Sequence, residues 1–221
     1  MPDNIFCHYY RWISGAYRPM EINPESLSIQ QTYKLLIGTV MPRPIAWVST
    51  VDSKENLNLA PFSFFTVASV NPPILCFSPL LTENSSQKDT LVNIRETGEF
   101  VVNVVSHSLA EKMNRTSAPY PSGDSEFVVG EVTANPSTIV KPPRVAESLV
   151  NFECKKQQII SLGSEPMAGN LIMGKVCFIH IHQEILRNGQ VDSVTLDPIG
   201  RLWGNMYATI RDRFEIKRPQ I

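Results

Sequence analysis

The feature that most constrains this chain is a succession of short runs rich in β-branched and aromatic residues, each closed by turn-forming residues. Between residues 41 and 106 they read IAWVSTVD (45–52), NLAPFSFFTVASV (58–70), NPPILCFSP (71–79) and FVVNVVS (100–106). Such residues suit a pleated, half-buried surface, and SKENL at 53–57 reads as the turn of a hairpin. Further on, Val150, Phe152 and Cys154 alternate with polar positions, which predicts a strand with one buried face. GNLIMGKVCFIHIHQEIL (169–186) predicts a long strand, Asn188-Gly189 a reversal, and LDPIG (196–200) another turn. The clearest helix lies in SSQKDTLVNIRETGEF (85–100), with Ser86 or Asp89 as cap, Leu91 and Ile94 on one face and Thr97-Gly98 as its stop. SLAEKMNR (108–115) predicts a short helix, while SLSIQQTYKLLIG (26–38) suits either a helix or a strand near 35–40. Many short strands with two or three helices predict a mainly β fold, a closed β-barrel with helical decoration.

At 221 residues one domain is expected, over residues 25–221, preceded by an aromatic-rich arm over residues 1–24 that contains Phe6, Tyr9, Tyr10, Trp12 and Tyr17. A formal net charge of −1 excludes generalised attraction to nucleic acid or to an anionic membrane, so an anion site must be a local arrangement of donors. Four cysteines (Cys7, Cys76, Cys154 and Cys177) without a close pair exclude a zinc ribbon or a disulfide scaffold. Cys76 and Cys177 lie in apolar runs and are expected as buried thiols in a reducing compartment. There is no signal-peptide pattern and no apolar run of about 18 residues, so a cytoplasmic protein is expected.

Three groups of residues carry chemical promise. Lys88, Asp89 and Thr90 open a helix, where free backbone N–H groups and the positive end of the macrodipole suit a phosphate, with the hydroxyls of Ser86 and Thr90 as further donors. The alternative is a capping box of Ser86 with Asp89. Asn58 to Ser63 (NLAPFS) offers backbone donors among small residues, with Pro61 interrupting the ladder. That pattern fits either a cradle for a flat heteroaromatic ring or a strand that bends at a barrel rim. Arg43, restricted by Pro42 and Pro44, suits charge compensation of an anion or a surface ion pair. His180, His182 and Glu184 are expected to be structural, since three alternate residues on one strand spread over about 13 Å, too far for one metal ion. Neither G-x-S-x-G nor G-x-G-x-x-G occurs, which removes support for a serine hydrolase elbow and for a dinucleotide-binding Rossmann domain.

Taken in order, MPRPIAWVST, NLNLAPFSFF, SVNPPILCFSP, KDTLVNIRETGEFVVNVV, GNLIMGKVCFIHI and GRLWGNMYATIRDRFEIKRP resemble the flavin reductase-like, FMN-binding split-barrel family, which includes flavoredoxins. The resemblance runs over residues 33–219. It implies a split-barrel homodimer that holds FMN noncovalently near the subunit interface, with NADH or NADPH as electron donor and a small molecule or protein as acceptor. A flavoredoxin-like electron carrier is the alternative. By the same resemblance, the strand with Trp47, Val48, Ser49 and Thr50 and the segment Asn58, Leu59, Ala60, Pro61, Phe62 and Ser63 line the isoalloxazine and ribityl chain. Ser86, Lys88, Asp89 and Thr90 match the phosphate-binding turn. In the flavin reading, Arg43 is expected to help tune the ring. The family often has arginine before the lysine, whereas this chain has Gln87. Residues 106–124 are implied to shape the substrate side.

Overall fold

The computed structural model describes residues 20–121 and 123–220, so most of the expected arm lies outside the described residues. Two compact units divide between Leu35 and Leu36, and every strand and core cluster among the described residues lies in the second. The ambiguous segment near residue 30 is helix α1 (Ile29–Thr39). Its start is a capping box, in which Gln31 N donates to Ser28 Oγ at 3.2 Å and Ser28 N to Gln31 Oε1 at 2.9 Å.

The strands follow as β1 (Arg43–Pro44), β2 (Ala46–Val51), β3 (Leu57–Phe62), β4 (Phe65–Val70) and β5 (Pro73–Phe77). Helix α2 (Asp89–Thr97) leads to β6 (Glu99–Val104), and α3 (Ala110–Arg115) and α4 (Glu126–Val129) precede the short strands β7 (Ala134–Asn135) and β8 (Arg144–Val145). The long antiparallel pair β9 (Val150–Ser161) and β10 (Asn170–Ile181) comes next. A hairpin of β11 (Leu186–Arg187) and β12 (Gln190–Val191), helix α5 (Ser193–Leu196), and strands β13 (Ile199–Arg201) and β14 (Tyr207–Thr209) complete the described chain.

Seven strands form one sheet in the order β3-β2-β6-β9-β10-β5-β4, and β1, β13 and β14 form a smaller one. The large sheet does not close as expected: β3 and β4 are its margins and are not paired with each other. Yet β3 ends at Phe62 and β4 begins at Phe65. Three Cα–Cα steps of about 3.8 Å hold these two ends within about 11 Å, so the sheet must curl until its margins nearly meet. The result is a split barrel.

Strand β2 lies between β3 and β6, and all six of its residues are buried. Ala46 and Val48 point into one core with Phe77, Leu91, Phe100 and Ile172, while Trp47 points into a second with Leu59, Val105, Met113 and Phe127. Period-two alternation sends neighbours to opposite faces, and both faces here are covered. Gly174 on β10 is fixed by close approach, since an added Cβ would lie 2.1 Å from the Phe100 ring.

Three expectations are corrected. On β9, Asn151 and Glu153 are as buried as Val150 and Cys154, so the strand has two buried faces. The reason is polar capture: the Glu153 carboxylate accepts N–H groups from Thr138, Ile139 and Val140 at 2.6 to 3.1 Å and lies 2.6 Å from His180 Nε2. Cys177 is exposed, while Cys76 and Cys154 are buried. It sits where the β9–β10 register shifts between Val176 and Phe178, and that irregularity turns it outward. His182 and Glu184 fall beyond the end of β10 at Ile181, so they do not share a strand face with His180.

Candidate functional site

The N-terminus of α2 is the best-prepared feature of the molecule. Its N-cap, Lys88, is extended (φ −76°, ψ 149°) and no side chain caps the helix. Leu91 and Val92 donate back to the Lys88 carbonyl, and the N–H groups of Asp89 and Thr90 find no acceptor among the described residues. Ser86 does not form the alternative capping box. Its hydroxyl pairs with that of Thr82 at 2.6 Å, and its N–H donates to the same Thr82 oxygen at 3.0 Å. The first turn of the helix is left open to an acceptor from outside.

The Lys88 ammonium makes no hydrogen bond or ion pair among the described residues. Its Nζ lies 5.8 Å from the centre of the Phe62 ring. The residue is exposed as a whole, but the protein around its ammonium lowers the pKa below the usual lysine value through loss of solvation. An anion would reverse that cost.

Lys88 lines two adjoining pockets of about 210 Å³ each, which also share Pro61 and Ser117. The first is built by Asn58, Ala60, Thr82, Asp89, Thr90 and Glu126, with residues 116–120 as one wall. The second is built by Ile45, Ser63, Met113, Asn114, Arg201 and Tyr207. A buried polar network holds the first in place. Asn58 Nδ2 donates to Thr50 Oγ1 at 3.2 Å and to Thr90 Oγ1 at 2.9 Å, and Asn93 Nδ2 donates to Thr50 Oγ1 at 3.0 Å. Strands β2 and β3 are thereby tied to the open end of α2. Trp47 Nε1 donates to Thr116 Oγ1 at 2.9 Å, which anchors the 116–120 wall from inside the core. Glu126 is 8% exposed, accepts the Leu59 N–H at 2.9 Å, and has its pKa raised chiefly by burial, with Asp89 and Asp124 adding to the rise.

The residues singled out in the sequence fall into four places. Asn58, Ala60, Pro61, Ser63, Lys88, Asp89 and Thr90 line the two pockets. Trp47, Val48, Ser49, Thr50 and Leu59 have no exposed surface, and Phe62 is nearly as buried; they stand behind the walls and position them. Ser86 braces Thr82. Arg43, buried rather than at the surface, donates to the carbonyls of Ile37, Val40 and Leu202 at 2.6 to 2.9 Å, closing the C-terminal end of α1. Glu126, Asn114, Arg201 and Tyr207 carry no local signal in the sequence, since they come from separate elements. Residues 116–120, which form one wall of the first pocket, lie within the stretch 106–124.

A larger pocket of about 450 Å³ lies elsewhere, along Arg144, Ser148, Asn151, His180 and His182. Several of its polar side chains are engaged within the protein: Arg144 with the Pro136 carbonyl, Ser148 with Val104 and Val150, Asn151 with Asn103 and Val145. It therefore offers less to a ligand than the open helix end.

Comparison with known proteins agrees with the fold. The chain matches the Flavin reductase like domain over residues 37–196. It is 38% identical over 205 residues to protein BH2278 of Halalkalibacterium halodurans, covering 91% of this chain and 98% of that one. Nitrilotriacetate monooxygenase component B from Bacillus cereus superposes with a TM-score of 0.87 at 33% identity, covering 91% of this chain and all of the other. The 2-nitrobenzoate 2-nitroreductase NbaA of Pseudomonas fluorescens superposes at 0.82 with 30% identity, covering 90% and 96%. The chain belongs to the flavin reductase-like family of split-barrel proteins.

Proposed function

We propose that the protein is an FMN-dependent oxidoreductase that takes electrons from NADH or NADPH and passes them to a second acceptor. The observation that carries this reading is the uncapped start of α2 beside the unpaired Lys88 ammonium. This donor set fits a phosphate monoester: two backbone N–H groups, one ammonium, and the Thr90 hydroxyl held in place by Asn58. Ala60 and Pro61 supply a low, smooth wall beside it, which suits a flat ring. Bound flavin would supply the redox chemistry, accepting two electrons from a reduced nicotinamide and releasing them to the acceptor, so no acid–base triad is required of the protein. The names of two similar proteins, a monooxygenase component and a nitroreductase, support an oxidoreductase.

The protein's own residues bind and orient. Lys88 neutralises the phosphate, α2 donates to it, and Glu126 holds β3 against α4 so that Ala60 and Pro61 keep their position. We propose also that two copies pair through apolar side chains left outside the cores, among them Val67, Val70, Phe178 and Ile179.

The test is direct. The purified protein should take up FMN with a flavin band in the visible spectrum, and NADH or NADPH should bleach it. Lys88→Ala should weaken FMN affinity by about 10- to 100-fold, the usual worth of charge-assisted hydrogen bonds. A protein that binds no flavin on titration would refute the reading, and a loaded protein bleached by neither nicotinamide would refute the donor.

A further inference from the structure

The two pockets that share Lys88 differ in charge. Asp89 and Glu126 line the first together with Lys88, whereas Lys88 and Arg201 are the only charged residues lining the second among the described residues. Arg201 ends β13, and its cross-strand partner on β14 is Tyr207. The guanidinium carbon stands 4.4 Å from the centre of the Tyr207 ring, and one NH2 group donates to the Gly204 carbonyl. No carboxylate pairs with Arg201 among the described residues. Stacking on the ring fixes the guanidinium plane while leaving donors free, which is the arrangement in which arginine reads phosphate or carboxylate oxygens.

The neighbouring groups fit the same use. The Tyr207 hydroxyl donates to Asn114 Oδ1 at 3.1 Å, and Asn114 Nδ2 has no acceptor among the described residues. The Ser117 hydroxyl, 2.6 Å from the Asn114 carbonyl, holds the turn that carries both residues. A mononucleotide flavin brings one phosphate, and the open end of α2 provides for it. A second cationic pocket next to the first implies a second anionic group, brought by another molecule.

We infer that the pocket formed by Arg201, Lys88, Tyr207, Asn114 and Ser117 binds the pyrophosphate of a pyridine dinucleotide donor, with Arg201 as the residue that determines its specificity. The inference rests on the flavin reading above. It assigns this role to a residue from the C-terminal strands, far in sequence from the phosphate turn. Arg201 touches the donor's anionic part and positions it; the reacting atoms lie elsewhere.

The experiment is an equilibrium titration of the FMN-loaded protein with 1,4,5,6-tetrahydro-NADH, an unreactive mimic of the donor. In Arg201→Gln the Kd should rise about tenfold or more, in Arg201→Lys by less, and FMN affinity should stay within about twofold of wild type. In the wild type the Kd for the mimic should rise as salt is increased from about 50 to 500 mM, because a cationic subsite is screened. As a kinetic companion, Arg201→Gln should raise KM for NADH but leave that for uncharged 1-benzyl-1,4-dihydronicotinamide unchanged. Unaltered binding of the mimic to Arg201→Gln overturns the inference, as does an equal loss of FMN affinity, which would assign Arg201 to the flavin itself. Should Arg201→Gln not fold, the wild type decides: affinity for the mimic that is indifferent to salt overturns the inference. A wild type that takes up no FMN refutes the flavin reading, whereas a loaded wild type with a silent Arg201→Gln refutes only this one.

Discussion

Glu153 has no exposed surface, yet its carboxyl is held below the usual glutamate pKa. Burial pushes it up, but the His180 ring and the three N–H groups of residues 138–140 outweigh that cost. A depressed folded-state pKa means that the ionised form is the one folding favours. Its contribution is therefore complete above the ordinary value of 4.5 and is lost as pH falls through the lowered folded value. Glu153→Gln should be less stable at neutral pH by about 1–3 kcal/mol and should show a shallower loss of stability in acid; urea denaturation across pH measures both. At this scale the sequence was only partly legible. Lys88 and Thr90 announce themselves because helix starts have a local grammar. Glu126 and Arg201 do not, because their chemistry depends on which distant backbone or ring they meet, Leu59 for one and Tyr207 for the other. The buried setting of Arg43 was hidden for the same reason, as its carbonyl partners include Leu202, 159 positions away.

Among the elements, α2 and β10 carry the most information. The stop of α2 was readable, since Gly98 adopts the left-handed conformation (φ 73°) and its N–H returns to the Ile94 carbonyl. The β2–β3 hairpin and the Asn188-Gly189 reversal were readable for similar reasons, both being set by neighbouring residues. The second buried face of β9 was not, because the segment that covers Glu153 lies 13 to 15 positions earlier in the chain. The demand on Gly174 was equally silent, being made by Phe100 across the core. Gly174→Ala should cost about 1–3 kcal/mol, since neither the ring nor the strand has room for a methyl group; a drop in Tm of the variant, with its circular dichroism spectrum otherwise preserved, measures this.

For the whole molecule, apolar side chains outside the cores mark where a second copy is proposed to sit. Val70 is 86% exposed on the marginal strand β4, and Ile179 is 49% exposed on β10. Sedimentation equilibrium should give about twice the chain mass, and Val70→Asp with Ile179→Asp should shift the protein toward single chains. A wild type that sediments as one chain would refute the pairing. The barrel itself was legible as a class, from strand count and turn spacing. Its split was legible only through the family resemblance and not from strand pattern, because the closing of two margins depends on the curl of seven strands and on no single residue.

The short link between Phe62 and Phe65 also shapes how the chain reaches this structure. The β2–β3 and β4–β5 hairpins are local and can form independently, but they stand at opposite margins of one sheet. To bring them into place, β5 must find β10, pairing Phe77 with Ile172 across nearly a hundred residues. Until that long-range contact forms, the β4–β5 hairpin swings on a two-residue pivot, and Thr82, which follows β5 and lines the first pocket, has no fixed place beside Lys88. The pocket is thus assembled late, and its ability to hold a ligand should return with the slowest phase of refolding.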